Sequence, residues 1–374
     1  IAYCKRKRKV RAVETTKKLP KGDLIKKKKR EYQKLEAEGF ELLVTTPGVF
    51  IGKTRRGISI KERGIKKLEV PLLNLKNISI LSRGVTISSN VIEYCAERGI
   101  PVDFVDFNGK PYAKLYRFQS ASALIGIAQL KAFENGKAHT LAKCFASGKV
   151  RNQINLLRYY HKYRKKQEDD FNTVFDEKVA LMQALAKEAR DVREKDIEVL
   201  RGKLFSIEGR AASCYWELVE KMLNDYVEFE GRIREGATDL VNSLLNYGYG
   251  ILYSRIWEAI IRAGLNPHIS YLHKAHEGKP TLVFDLIEEF RPQAVDRPVF
   301  SLITKGEEIK VEKGRLTNET RKRVAEKVLE RINTVEIFRG KEMRLSGIIK
   351  EQARAVAQFL KGEINRYRPY IGKW

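Results

Sequence analysis

Between about residues 41 and 116 the apolar positions recur every second residue or gather in short β-branched runs. They are Leu42-Leu43-Val44-Thr45, Val49-Phe50-Ile51, Gly57-Ile58-Ser59-Ile60, Ile78-Ser79-Ile80 and Val102-Asp103-Phe104-Val105. Successive side chains of a strand face opposite ways, so this period of two predicts strands with one face or both faces buried. Turn chemistry separates them at Thr54 to Gly57 and at Asn108-Gly109, the latter a strong hairpin signal. One helix interrupts the series, from a cap at Ser88 or Ser89 to Gly99.

After about residue 118 the spacing becomes helical. Leu181, Leu185, Ala189 and Val192 form one stripe, and Ile348, Gln352, Ala355, Val356 and Phe359 form another. Residues 151 to 203 read as a long, highly charged helical region, with several cations between Arg158 and Lys166. A hairpin around Leu302 to Val311 is the one strand pair expected in this half. No repeat of 20 to 50 residues is present, which excludes a solenoid. The fold class is therefore α+β and multi-domain: a basic arm or linker over 1–38, a β-sandwich-like domain over 39–117, and a mainly α-helical domain over 118–374.

Composition changes this picture in one respect. The 374 residues are 43% hydrophobic, enough for a sizeable core, but carry a formal charge of +26. Residues 1 to 30 hold fourteen basic and two acidic side chains, so more than half of the excess charge lies in the body. A polyanionic partner follows. No apolar run of membrane-spanning length and no signal-peptide pattern is present, and a cytoplasmic protein is expected. Cys4, Cys95, Cys144 and Cys214 are scattered without a C-x-x-C pair, which argues for reduced structural thiols rather than zinc ligands or disulfides. The start at Ile1 fits a segment taken from a longer polypeptide.

Candidate chemistry gathers around His273. Twelve residues later comes Asp285, within Val283-Phe284-Asp285-Leu286-Ile287-Glu288-Glu289-Phe290. If that segment is helical, Asp285, Glu288 and Glu289 share a face at spacings of three and four. Such a face is either solvated and paired with Arg291, or holds a divalent cation with a histidine completing the set. His276 lacks the H-E-x-x-H spacing of a zinc protease. Glu208, in Phe205-Ser206-Ile207-Glu208-Gly209-Arg210-Ala211-Ala212, is an acid amid small residues, a pattern more often found at helix ends.

Taken together, several segments resemble the CRISPR-associated spacer-acquisition integrase family. They are Leu42 to Gly52, Ile207-Glu208-Gly209 with Ala211-Ala212, and Leu244-Leu245-Asn246-Tyr247-Gly248-Tyr249-Gly250-Ile251-Leu252. Further on come Gly264-Leu265-Asn266-Pro267 with Tyr271-Leu272-His273, then Lys279-Pro280 and Phe284 to Pro292. The resemblance covers about residues 40 to 370 and implies an N-terminal β domain and a helical catalytic domain. It implies a metal site of Glu208, His273 and Glu288, with Asp285 as a supporting catalytic acid; the choice between Asp285 and Glu288 as direct ligand stays open. The ion implied is Mg²⁺ or Mn²⁺.

The implied reaction is transesterification, in which the 3′-hydroxyl of a short DNA fragment (a prespacer) attacks a phosphodiester at a CRISPR repeat next to the leader. No nucleotide triphosphate is needed, in keeping with the lack of a phosphate-binding G-x-x-x-x-G-K-[ST] loop. Lys279, Arg291 and Arg297 are candidates to hold phosphates, and Tyr249 and Tyr271 to align DNA or to serve as core. The resemblance also implies a homodimer joined through the β domains, a small ferredoxin-like partner subunit, and a fused or associated reverse transcriptase or iron–sulfur nuclease, of whose cluster Cys4 is a candidate remnant. Competing readings are a stand-alone nuclease for branched DNA, a transposon-type integrase, for which a further DNA-binding module is expected after the helices, and a non-catalytic architectural DNA-binding protein.

Overall fold

The computed structural model describes residues 2–4, 40–73, 75–106, 109, 111–115, 123–163, 169–233 and 236–373. The alternating segments form nine strands among these residues: β1 (Ala2–Cys4), β2 (Phe40–Val44), β3 (Val49–Lys53), β4 (Gly57–Glu62), β5 (Ile65–Pro71), β6 (Leu75–Ile80), β7 (Thr86–Ile87), β8 (Val102–Val105) and β9 (Pro111–Leu115). They make a five-stranded sheet ordered β1-β2-β6-β8-β9 and a four-stranded sheet ordered β5-β4-β3-β7. The two sheets enclose one core with the helix α1 (Ser89–Glu97), which begins at Ser88 as the sequence predicts. Ala2–Cys4, expected in a basic arm, instead pair antiparallel with β2. Ile1 and residues 5–38 of that arm lie outside the described residues.

Strand β2 explains its own continuous apolar run. Phe40, Leu42 and Val44 enter the core between the sheets, while Leu43 points the other way into the helical core. A strand buried on both faces gains from apolar residues at consecutive positions.

The helical part comprises α2 (Ala123–Lys131), α3 (Lys137–Tyr163), α4 (Asp169–Asp191), α5 (Ile197–Leu223), α6 (Leu240–Arg262), α7 (Thr281–Ile287), α8 (Arg297–Thr304), α9 (Asn318–Ile332) and α10 (Leu345–Lys361). The region read as one helical stretch over 151–203 is divided among α3, α4 and α5, which pack on one another. Asp196 caps α5 by accepting from the amides of Glu198 and Val199. Leu181, assigned to the buried stripe, is 47% exposed; Val179, Met182, Leu185 and Ala189 form that face. From Leu185 the stripe runs back by three residues rather than four, which leaves Leu181 outside it. Among the described residues no helix is long and apolar enough to cross a membrane.

The hairpin expected near Leu302 to Val311 lies later in the chain, because Leu302 belongs to α8. It pairs β10 (Val311–Glu312) with β11 (Arg315–Leu316), and a second hairpin pairs β12 (Val335–Phe338) with β13 (Lys341–Arg344). Lys313-Gly314 and Arg339-Gly340 turn them, each residue with positive φ. Tight hairpin turns of this kind require that conformation at both central residues. A basic residue before glycine is a weaker signal for it than asparagine.

The sheet meets the helices along α6. Arg255 pairs with Glu41 at 2.8 Å, and Lys114 pairs with Asp103 while donating to the Ser254 carbonyl at 3.0 Å. The β8–β9 hairpin, predicted at Asn108-Gly109, brings the Gly109 carbonyl so close to Gly250 that a Cβ there would lie 1.3 Å from its oxygen. Gly250→Ala therefore forces hairpin and helix apart. We expect it to lower stability by about 2 kcal/mol or more, in the upper part of the overpacking range, read as a fall in the urea midpoint; an unchanged midpoint would show that the contact has slack.

Candidate functional site

Helix α5 runs through the interior, with Leu204, Ile207 and Ala211 buried. Glu208 lies on that same side and is buried too, in mid-helix rather than at a helix end as its Glu-Gly pattern suggested. Gly209 faces open space, so it is not a packing glycine.

The loop between α6 and α7 presents His273, and Asp285 holds that loop in shape. Asp285 is fully buried in α7; its Oδ2 accepts from the amides of Tyr271 and Leu272 at 2.6 and 3.0 Å. Its Oδ1 accepts from the His273 amide at 2.8 Å and is bonded to His273 Nδ1 at 2.9 Å. Arg201 of α5 clasps the loop by donating to the carbonyls of Ser270 and Tyr271. Burial works against a charged His273, but Asp285, Glu288 and Glu208 outweigh it and raise the imidazole pKa. Phe205 and Phe284 pack against the ring.

Glu288 follows α7 and turns toward α3, where Lys149 stands between the two glutamates. The Lys149 ammonium lies 2.8 Å from Glu288 Oε2 and 3.3 Å from Glu208 Oε1. Those same two oxygens are buried and accept no well-directed hydrogen bond. Arg291 Nε lies 3.1 Å from Glu288 Oε1. Burial alone would raise the Glu288 pKa; Arg291, Lys149 and His273 pull it down to about 2.

Asp285, Glu288 and Glu289 do not share one face, solvated or otherwise. Asp285 serves the His273 loop and Glu288 meets Lys149 and Arg291. Glu289 accepts from Tyr367 Oη, Gln352 Nε2 and the Tyr370 amide on the C-terminal segment. All three are buried. Adjacent residues on a helical path point about 100° apart, so Glu288 and Glu289 reach different partners although they are neighbours in sequence, and the wide turn over Pro292–Asp296 comes only after both.

Of the residues proposed to meet DNA, Arg291 and Tyr249 stand together. Arg291 stacks on the Tyr249 ring at 4.6 Å, Arg232 lies over it at 5.5 Å, and Tyr249 Oη donates to Asp296 Oδ1 at 2.5 Å. They border a cleft of about 750 Å³, also lined by Tyr253, Phe284 and Arg315. Tyr271 is fully buried, with its hydroxyl on the Gln129 carbonyl, and has no surface to offer DNA. Arg297 stacks on Tyr159, and Lys279 is exposed on the loop. His276 is exposed as well. Sequence reasoning missed Lys149 and Asp296. A signal for the first was present: Lys149 falls on the apolar stripe of Leu141, Ala142, Phe145, Ala146 and Val150.

As the side chains stand, no three histidine, cysteine or acidic side chains among the described residues are drawn together tightly enough to hold an ion. The donor set nevertheless suits a hard divalent cation. Glu208 and Glu288 each aim an oxygen without a hydrogen bond at one cationic point, and Asp285 engages His273 through Nδ1, so that Nε2 is the ring nitrogen that could meet an ion. Both Asp285 oxygens are committed, which favours Glu288 as the direct ligand. Cys95, Cys144 and Cys214 are free thiols, and burial pushes the first two up to about 11 and about 12.

Residues 42–330 match the family model described as CRISPR associated protein Cas1. The chain is 32% identical over 346 residues to the CRISPR-associated endonuclease Cas1 1 of Archaeoglobus fulgidus, covering 89% of this chain and 99% of that protein. Among solved structures it resembles a casposase bound to an integration product, with a TM-score of 0.73 and 23% identity over 88% of this chain and 92% of that one. It also resembles a chain of a Cas6-RT-Cas1–Cas2 complex, with a TM-score of 0.72 and 20% identity over 90% of this chain and 36% of the other. At these identities the structures establish the fold.

Asp296 gives the site a pH signature. Burial pushes its carboxyl up to about 6 from 3.8, against the lowering effect of Tyr249 and Tyr215. The folded state thus binds this proton more tightly than the unfolded chain. Its contribution to stability is whole below about pH 4 and fades as pH rises through about 6. Asp296→Asn removes that dependence, so the variant should lose less stability than the parent between pH 4 and 7, by of the order of 2 kcal/mol. Urea unfolding across that range checks it; identical pH slopes for the two proteins would refute the assignment.

Proposed function

The chain belongs to the Cas1 family of CRISPR-associated proteins, and from that premise we propose that it is a metal-dependent DNA integrase. The observation that carries this reading is the convergence of Glu208 and Glu288, eighty residues apart in sequence, on one cationic point, with the Asp285-oriented imidazole of His273 near enough to feel both. Glu208, His273 and Glu288 would hold Mg²⁺ or Mn²⁺. The ion, when bound, supplies Lewis-acid stabilisation of charge growing on a phosphate and of a hydroxyl losing its proton.

The remaining work falls to the chain itself. Asp285 keeps His273 in one tautomer and orientation. Arg291, stacked on Tyr249 at the cleft wall and paired through Nε with Glu288, would offer its guanidinium to a phosphate. Tyr253 and Phe284 give the cleft an aromatic wall on which an unstacked base can rest.

In the reaction proposed, the 3′-oxygen of a short DNA fragment bonds to a phosphorus of the repeat, and the P–O3′ bond of the repeat breaks. One phosphodiester replaces another, the attacking hydroxyl's proton passes to solvent, and a new 3′-hydroxyl is left. The name of the Archaeoglobus relative favours a second reading, an endonuclease using water at the same site. The partners proposed are double-stranded DNA, a second copy of the chain joined through the β region, and a small subunit such as the Cas2 of the similar complex. A fused or associated RT module like that complex's is proposed with them, in a prokaryotic cytoplasm.

A labelled fragment with a free 3′-hydroxyl and a supercoiled repeat plasmid separate the two chemistries: covalent joining supports integration, and cleavage alone supports the nuclease. Glu208→Ala and His273→Ala should each reduce joining by about two orders of magnitude or more while leaving DNA binding intact; undiminished joining would remove the site from the reaction. Asp285→Asn should weaken Mn²⁺ binding by about 10- to 100-fold, because the amide carries no charge and only one oxygen for the donors that Asp285 accepts from, so the His273 loop and ring are less firmly set. DNA affinity should fall steeply with salt, as phosphate contacts require, and a flat salt response would contradict backbone recognition.

A further inference from the structure

The buried charges around Lys149 balance without a metal. Glu208 and Glu288 carry two negative charges, and Lys149 and Arg291 carry two positive ones. His273 and Asp285 form a separate pair. A divalent ion added to this set would leave it two charges in excess, in a place where the lysine side chain is 14% exposed and the two glutamates 8% and 5%. Departure of one resident cation would halve that excess. Arg291 is fixed by the Tyr249 ring at 4.6 Å as well as by Glu288. Among the described residues Lys149 is held by the two carboxylates, at 2.8 and 3.3 Å, without the aromatic stacking that fixes Arg291. Its ammonium is a point charge on a flexible four-carbon stem.

We propose that Lys149 is a placeholder for the divalent cation, keeping Glu208 and Glu288 together without metal and leaving when the ion takes its position. This rests on the metal-site reading given above. A lysine that only cements the fold would stay put. A displaced ammonium, still tethered to α3 beside the site, becomes available to a DNA phosphate, so this residue also links metal loading to DNA engagement.

Two measurements test the proposal, each with the full chain. In the first, the wild-type protein is treated with a lysine-acetylating reagent with and without Mn²⁺, and modification of Lys149 is followed by mass spectrometry. The proposal expects labelling at Lys149 to rise at least severalfold when Mn²⁺ is present; labelling that is unchanged or reduced overturns it. In the second, Mn²⁺ binding to Lys149→Met is measured by calorimetry in the absence of DNA. The variant should bind at least tenfold more tightly than the wild type, although its metal-free form melts lower. Equal or weaker binding overturns the proposal. Should the variant fail to fold, the labelling result on the wild type decides.

Glu208→Gln separates the two ideas. If it binds Mn²⁺ as well as the wild type, the metal-site reading itself fails. If it loses Mn²⁺ while Lys149 labelling in the wild type is indifferent to the ion, only the placeholder role fails.

Discussion

Two carboxylates held inside a helical bundle repel each other and lose hydration, so a fold that keeps Glu208 and Glu288 side by side depends on the cations between and beside them. Lys149 from α3 and Arg291 from the turn after α7 supply that charge. The requirement fixes more than one side chain. It sets the depth at which α3, α5 and α7 approach one another, since an ion pair of this kind is favourable only when its geometry is good and is strongly destabilising when one partner is removed. The apolar residues around Glu208 and Lys149, among them Ile207, Ala211, Phe145 and Val150, can pack only in the register that lets the charges meet.

The acids of the 285–296 segment show how one short stretch of chain does several jobs. Asp285 shapes the His273 loop, Glu288 faces the central cation, Glu289 binds the C-terminal segment, and Asp296 holds the hydroxyls of Tyr249 and Tyr215. Burial pushes Glu289 up to about 7 even though Tyr367, the Tyr370 amide and Gln352 act to lower it. Desolvation thus raises Glu289 and Asp296, whereas cationic neighbours lower Glu288 and make it the most firmly charged of the three, which suits it best to a metal ion.

How far the sequence discloses this is uneven, for physical reasons. Period-two runs such as Gly57-Ile58-Ser59-Ile60 carry their own evidence of a sheet, because a one-residue slip would expose the apolar face. The turns at Lys313-Gly314 and Arg339-Gly340 hide their hairpins, because lysine and arginine seldom adopt positive φ. Helical spacing brings Asp285, Glu288 and Glu289 to attention together, but it does not show that neighbours about 100° apart reach different partners. No spacing rule joins Glu208 to His273. That pairing came from family resemblance, since distant residues meet through tertiary packing that local periodicity does not encode. Lys149 was legible in principle, as a single cation on an otherwise apolar helical stripe, where burial requires an acidic partner.

The cleft beside the site is shaped as much by the β region as by the helices. Its rim includes Gly109 and Pro111 from the β8–β9 hairpin, and its wall includes Tyr249, Tyr253 and Arg291 from the helical part. The hairpin reaches that position because Gly109 and Gly250 lack side chains at their point of contact, and because Lys114 and Arg255 tie the sheet to α6 through Asp103, Glu41 and the Ser254 carbonyl. These buried pairs resist sliding, since any shift would leave an uncompensated charge inside the interface. A displacement of the sheet would therefore be felt at the cleft through these contacts. The sheet thus supplies one rim of the cleft, with Gly109 and Pro111 held against the helices that carry the acids.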